Sequence, residues 1–287
     1  MGRIYWLTSY PKSGNTWFRA FLECLLGEDG EDLDLNALER VPSASDRMVL
    51  DRELGYESGD LSFEELERVL PEAFASVARK SRGAVFQKLH DSFRRNEGEV
   101  PLYSHEAVEG ALYFIRNPLD VCVSYACHRS ELTLDEVIRL MGDASHGLAA
   151  TRWRQQLQIR QILGGWSSHV GSWTENDEIP VHVIRYEDML DRPLAVFESA
   201  VRFLGLSHEE RQIEGALNAC SFERLRGLEE RSGFRERPPG MDRFFRKGEV
   251  GSWRSVLTSD QVARIVADHR ETMIKYGYLN ESGELEF

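Results

Sequence analysis

What the 287 residues lack narrows the field first. Basic charge is short: 35 Lys and Arg face 48 Asp and Glu, a formal net charge of −13. A nucleic-acid binder needs a basic face, so no nucleic-acid partner is expected. An anionic ligand must then be held in one cleft where cations concentrate. Cysteine is scarce as well. Cys24, Cys122, Cys127 and Cys220 show no CxxC spacing and no histidine at metal-ligand spacing. No metal is expected, and the four read as reduced thiols of a cytoplasmic protein. No apolar run is long enough to span a bilayer, so no membrane is expected. The opening "MGRIYWLTSY" reads as a strand with no basic and apolar leader before it, so a secretory signal is not expected either.

What is present alternates. Four runs rich in β-branched and aromatic residues read as strands: 3–9, 84–89, 111–116 and 181–187. Their continuous apolar character suits parallel strands buried on both faces. Helical periodicity covers Asn15–Leu26, Ser62–Lys80, Leu119–Arg129, Leu134–Met141 and a long stretch around Ala149–Trp166. Further helices are expected at Leu194–Phe203, Glu209–Ala219 and Ser259–Tyr276. The fold class that follows is a single α/β domain over 1–287, a P-loop-like doubly wound parallel sheet flanked by helices. Two segments, 28–60 and 227–251, read as mobile loops, the second with enough Arg and Lys to close on an anion.

The chemistry sits where strands end. A Walker loop carries its lysine after the second glycine, whereas "YPKSGNTW" places Lys12 before Gly14, with Ser13 and Thr16 around it. Strand, loop and helix here aim the N–H groups of 12–16 at one point, and the helix end adds positive potential, so a phosphate is expected. In "FQKLHD", Lys88 and His90 share a face at a strand end. Neutral imidazole can take a proton from an acceptor hydroxyl. In "FIRNPLDVCVSYA", Arg116 either pairs with Asp120 at the surface or joins Ser124 in gripping a second phosphate. In "RKGEVGSWR", Arg246, Lys247 and Gly248 can wrap an anion with side chains and backbone together. The four elements imply one ligand with two separated phosphate-type groups and a histidine near one end.

Those motifs carry a resemblance. "YPKSGNTW" resembles the 5′-phosphosulfate loop of the sulfotransferases that use 3′-phosphoadenosine 5′-phosphosulfate (PAPS). "IRNPLDVCVSY" is similar to their 3′-phosphate motif, "RKGEVGSWR" to their C-terminal RKGxxGxWK signature, and "KLH" stands at their Lys-x-His. The likeness runs from residue 4 to about 278 and includes "GGWSSHVGSW" and "VIRYEDMLDRP". It implies PAPS as co-substrate, the nucleotide PAP as product and no metal. By position, Lys12 would contact the bridging oxygen and leaving phosphate, while Ser13, Gly14, Asn15 and Thr16 cradle that phosphate. Trp17 and Phe222 would flank the adenine with Tyr186 at its edge, and Arg116, Ser124, Arg246, Lys247 and Gly248 would bind the 3′-phosphate. His90 would be the base and Lys88 the group that neutralises the sulfuryl oxygens.

The chain departs from the family pattern in places. Asn15 replaces a common Thr, and Cys220 stands where a Thr near the adenine is usual. Arg254, Thr258, Ser259 and Ala263 keep the family's dimer motif poorly, so that dimer is not expected. "CSFERLRGLEERS" resembles the bacterial branch, including enzymes that sulfate glycopeptide antibiotics. Three readings follow: a sulfotransferase acting on a small-molecule or natural-product acceptor, a silent PAPS- or PAP-binding module, and a P-loop kinase. Intact Lys12, Lys88, His90 and Ser124 count against the second, and the displaced lysine counts against the third. His105, His128, His146, His169, His182, His208 and His269 read as surface or satisfied groups, and Trp153, Trp166 and Trp173 as packing.

Overall fold

The computed structural model describes residues 2–28, 32–104, 106–151 and 156–286. Along the chain run β1 (Arg3–Ser9), α1 (Asn15–Leu26), α2 (Arg47–Leu54), α3 (Phe63–Lys80), β2 (Ala84–Leu89) and β3 (Val108–Ile115). Next come α4 (Pro118–His128), α5 (Leu134–Met141), the two-residue strands β4 (Gly147–Leu148) and β5 (Gln161–Ile162), α6 (Trp166–Thr174) and β6 (Val181–Arg185). The chain ends through α7 (Tyr186–Asp191), α8 (Pro193–Phe203), α9 (Glu210–Ala219), α10 (Phe222–Ser232) and α11 (Ser259–Lys275).

The main sheet has the order β2-β1-β3-β6, all parallel, while β4 and β5 form a separate antiparallel ribbon. Alternation along β1 sends Ile4 and Trp6 to one face and Tyr5 and Leu7 to the other. The first face packs on α3, α4, α5, α6 and α11, the second on α1, α8 and α9. That is the doubly wound arrangement the sequence led us to expect. The chain leaves β1 for β2 on one side, then crosses back to β3 on the other. The carboxyl ends of β1 and β3 therefore flank a switch point, where such folds bind ligands. Thr8 lies beside Leu89, Ser9 beside Phe114 and Ile115 beside Arg185. The residues just past those ends, including Lys12, His90, Arg116 and Tyr186, consequently share one edge.

Local chemistry accounts for most helix ends. Ser62 with Glu65, Thr133 with Glu136 and Thr258 with Gln261 are reciprocal caps. Pro118 opens α4 behind Asn117, whose side chain accepts from Leu119 N. Pro71 lies inside α3, where it has no N–H for the carbonyl of Glu67. The Asn96 side chain donates to that carbonyl instead, at 3.4 Å.

Several expectations are corrected. Among the described residues of 149–166 no helix precedes α6: Ala149 has φ of +50° and Gly164 of +64°, and α6 begins only at Trp166. In between, Ile159 N donates to Ser45 O and Leu163 N to His146 O, so this backbone pairs with neighbouring loops. Trp153 lies outside the described residues, as does His105. The segment 28–60 holds α2, fixed by the Asp46 side chain at one end and a left-handed Gly55 at the other. Only Leu50 of α2 is buried, which is why no periodicity announces it. α10 runs to Ser232, so the irregular part of 227–251 starts at Gly233. The strand expected over 181–187 ends at Arg185, because Tyr186 starts α7.

Candidate active site

The turn between β1 and α1 is held in an unusual shape. Lys12 has φ of +73° and Gly14 of +99°. The left-handed region costs a residue with a side chain about 1–2 kcal/mol. Arg116 helps hold Lys12 there, its Nη1 donating to the Lys12 carbonyl at 3.2 Å. Gly14 is required twice over, since a Cβ there would also lie 2.7 Å from the Tyr186 ring. Asn15 ties the helix start to the strand, Nδ2 donating to Leu7 O at 2.8 Å. The Ser13 hydroxyl is buried and has no protein partner. An orphaned hydroxyl beside the free N–H groups of a helix start fits an anion with several oxygens.

His90 follows the end of β2, and its orientation is fixed on three sides. Nδ1 lies 2.8 Å from Ser9 O, which can only accept, so Nδ1 carries the proton and Nε2 keeps its lone pair. The His90 N–H donates to Gln161 Oε1, and His169 Nε2 donates to the His90 carbonyl at 3.0 Å. Tyr113 OH meets the other His169 nitrogen at 2.8 Å. The next residue, Asp91, is fully buried and takes Arg94, Tyr103 OH and Ile162 N. Burial, then the charge of Lys88, pushes His90 down to about 3, so its imidazole is neutral across the physiological range. The Lys88 backbone is held too, N donating to Pro42 O and O accepting from Ala44 N.

Arg116 is the hub between the motifs. Besides Lys12 O it donates to Glu249 O at 3.2 Å, and its guanidinium lies 4.3 Å from the Tyr186 ring centre. Its Nε is buried without a protein partner. The surface pairing with Asp120 does not form. Asp120 accepts instead from Gly251 N at 2.7 Å, Ser252 Oγ at 2.9 Å and Trp253 N at 3.1 Å, which clasps the "RKGEVGSWR" segment to α4. Gly248 has φ of +66°, and a Cβ on it would lie 2.5 Å from the Phe222 ring, so that ring sits against the Gly248 backbone. Trp17 meets Tyr186 edge-on at 6.4 Å. Glu187 accepts from Asn117 N and from Tyr278 OH, fastening the start of α4 to α7.

Lys12, Lys88, His90 and Arg116 thus come together, with Gly14, Trp17 and Tyr186 on one side and Phe222 against Gly248 on the other. Ser124 lies half-buried on α4, Thr16 and Arg246 are half-buried, and Lys247 is exposed. Cys220 is fully buried, and its thiol turns to Leu217 O. His146, His169, His182 and His269 each have a hydroxyl partner, and Trp166 and Trp173 are fully buried, as expected.

Four further residues stand at the site. Lys12 Nζ lies 3.9 Å over the Phe244 ring, and the His128 ring packs edge-on against the same phenyl. Burial and the charges of Lys12 and Lys88 push His128 down to about 3, so it is a neutral imidazole packed beside the cation cluster rather than a surface group. Arg19 and Lys88 share the carboxylate of Glu236. Burial, then the charges of Arg116 and Lys88, bring Lys12 down to about 7. None of the four had a sequence signal beyond its nearness to a motif. Phe244 is two residues from Arg246, His128 four from Ser124, and Arg19 three from Thr16.

The sulfotransferase domain model matches residues 110–277, more than half of the chain. Cytosolic sulfotransferase 8 of Arabidopsis thaliana is 27% identical over 90% of this chain and 73% of its own length. Flavonol 3-sulfotransferase of Flaveria bidentis is 23% identical over 90% of this chain and 78% of its own. Among solved structures, a mouse sulfotransferase complexed with PAP gives a TM-score of 0.61 at 21% identity, covering 94% of this chain and 84% of that one. Retinol dehydratase complexed with retinol and PAP gives 0.63 at 18%, covering 99% and 83%. These structures share the fold. The relatives named are plant and mouse proteins and lend no support to the bacterial branch. Fold, motifs and domain match agree: the chain belongs to the PAPS-dependent sulfotransferase family.

Proposed function

We propose that this protein transfers the sulfuryl group of PAPS to a hydroxyl or amine of a small-molecule or natural-product acceptor by in-line displacement, releasing PAP. The observation that carries the reading is His90, whose Nδ1–H is committed to Ser9 O, leaving a neutral Nε2 beside Lys88. When bound, PAPS supplies an activated sulfuryl group on a phosphate leaving group. Nε2 takes the acceptor proton as its oxygen or nitrogen closes on sulfur. Lys12 meets the negative charge that builds on the leaving phosphate, and Lys88 the charge on the sulfuryl oxygens. Ser13, Asn15 and Thr16 hold the 5′-phosphate with the loop N–H groups. Arg116, Ser124, Arg246, Lys247 and Gly248 hold the 3′-phosphate, and Trp17, Phe222 and Tyr186 surround the base. The orphaned Ser13 hydroxyl and Arg116 Nε fit those assignments. Cys220, committed to its own helix, offers the adenine little.

A cavity of about 660 Å³ lies between Asp32–Asn36 and the end of α10, within two of the four segments (28–60, 91–105, 130–150 and 227–245) that we assign to the acceptor side. Its mixture of Asp32, Asp34, Leu33, Phe234 and Arg235 supports a bulky, polar acceptor. Relatives named for a flavonol and for retinol favour a hydroxyl. Relatives named cytosolic favour a cytoplasmic setting, and among the described residues no helix is long and apolar enough to cross a membrane.

The test is transfer of radioactive sulfate from labelled PAPS, without added metal, to a panel of phenols, alcohols, amines and glycopeptides. Label in one acceptor that vanishes with His90→Ala supports the reading. Binding of PAP with no transfer to any acceptor would favour the silent module.

A further inference from the structure

Past α10 the chain turns back over the edge of the sheet and delivers one carboxylate into the cation cluster. Glu236 Oε1 accepts from Arg19 Nη1 at 2.6 Å, and Oε2 accepts from Lys88 Nζ at 2.8 Å. The side chains of Arg19 and Lys88 are 4% and 12% exposed, whereas that of Glu236 is 32% exposed, so the carboxylate comes in from the solvent side. Arg19 is also anchored, its Nε donating to Val41 O at 3.1 Å. Burial raises the Glu236 carboxyl, but Lys88 and then Arg19 outweigh it and hold the group well below the usual carboxylate range. It is therefore a full anion. Its field also reaches Lys12 and His90.

In the reaction proposed above, the sulfuryl oxygens need the Lys88 ammonium that Glu236 holds. Two anions within hydrogen-bond reach of one ammonium stand roughly 5 Å apart or less and repel one another, so each loosens the other's hold on Lys88.

We propose that Glu236 is a resident competitor for the sulfuryl site: the sulfuryl group of PAPS must take Lys88 from it, whereas PAP makes no such demand. The inference rests on the assignment of Lys88 to the sulfuryl oxygens. Glu236 thereby distinguishes the two nucleotides. With PAP bound, the segment from Gly233 stays fastened at Arg19 and Lys88. With PAPS bound it is released at Lys88, beside the expected acceptor side. Acceptor access is then coupled to the form of the nucleotide that can react.

The experiment is calorimetric binding of PAPS and of PAP, each without acceptor, to the wild-type protein and to Glu236→Gln. Gln keeps the shape but carries no charge, and its single acceptor oxygen can serve only one of the two cations. The expected result is PAPS bound at least ~10-fold tighter by the variant, with PAP changed less than ~2-fold. An equal shift for both nucleotides, or none for either, overturns the proposal. Because the variant could fold poorly, hydrogen exchange across 233–240 of the wild-type protein gives a second reading. PAPS should speed exchange there relative to PAP, and equal rates overturn the competition. A wild-type protein that binds neither nucleotide overturns both this inference and the functional reading beneath it. Normal PAP binding with an unmoved PAPS ratio overturns the inference alone.

Discussion

A histidine that must take a proton serves only if the right nitrogen is free, and at position 90 the Ser9 carbonyl decides which one it is. Burial and Lys88 then keep that nitrogen unprotonated, since the imidazole titrates near 3 rather than its ordinary 6.5. The acid limb of kcat/KM for PAPS should therefore show no loss around pH 6.5, where an ordinary imidazole is half protonated. His90→Ala should lower turnover at least ~10²-fold while PAP still binds, because the residue moves a proton and holds no phosphate. Lys12→Ala should also cost at least ~10²-fold in turnover, but with PAP affinity falling as well. Near-wild-type turnover in both variants would remove these roles. Lys12 carries a pH dependence of its own. It titrates near 7, and a phosphate beside it favours the ammonium form. Above pH 7 the free protein has lost that proton and the complex regains it, so binding takes up a proton. PAP affinity should fall from pH 7 to 9, by up to ~10-fold per unit. Calorimetry in buffers of different ionisation enthalpy would show the uptake, and affinity that is flat over that range would contradict it.

At the scale of elements, the site is where chain segments remote in sequence are clasped, and Asp120 is one of the clasps. Its three accepted hydrogen bonds hold residues 251–253 to α4 and so set where Arg246, Lys247 and Gly248 stand. Hydrogen bonds to a charged acceptor contribute about 1.5–3 kcal/mol each. Asp120→Ala should accordingly raise the KM for PAPS at least ~10-fold and leave kcat within ~3-fold, since nothing at His90 changes. A fall in kcat at unchanged KM would mean that the clasp serves the chemistry instead. Such clasps were not legible in the sequence, because Asp120 looks as ready to pair with Arg116 four residues earlier as with a turn 131 residues on. What was legible is local. β1, β2, α1 and α5 fall on their expected boundaries, since strand composition and helix periodicity mark them from within. The stretch 149–166 misled because the described part of its backbone pairs with three separate loops, at Ser45–Arg47, Ser92 and His146, and Gly164 and Gly165 precede α6. The site itself was half legible. Lys12, Lys88, His90 and Arg116 lie in motifs at strand ends, where the fold had to gather them. Glu236 and Arg19 have meaning only through each other, 217 residues apart.

For the whole molecule, the question is how a chain with a formal net charge of −13 admits a nucleotide that is itself strongly anionic. The cations gather at one edge of the sheet, with Arg19 and Arg116 almost wholly buried and Lys88 nearly so. Acidic side chains spread over the surface repel the incoming nucleotide from beyond 10 Å, about the Debye length at 0.1 M salt, so salt screens them well. Contacts inside the cleft are made within hydrogen-bond distance, and salt screens them poorly. Repulsion should therefore weaken faster than attraction as salt is added. The association rate of PAP, followed by tryptophan fluorescence in a stopped-flow instrument, should rise between 10 and 150 mM salt by a factor of ~2–5. Dissociation should change less. A protein that steers its nucleotide with an exposed basic patch behaves the opposite way, its association rate falling steeply with salt. Observing that fall here would mean that Lys247 and its exposed neighbours, rather than the buried cluster, dominate capture.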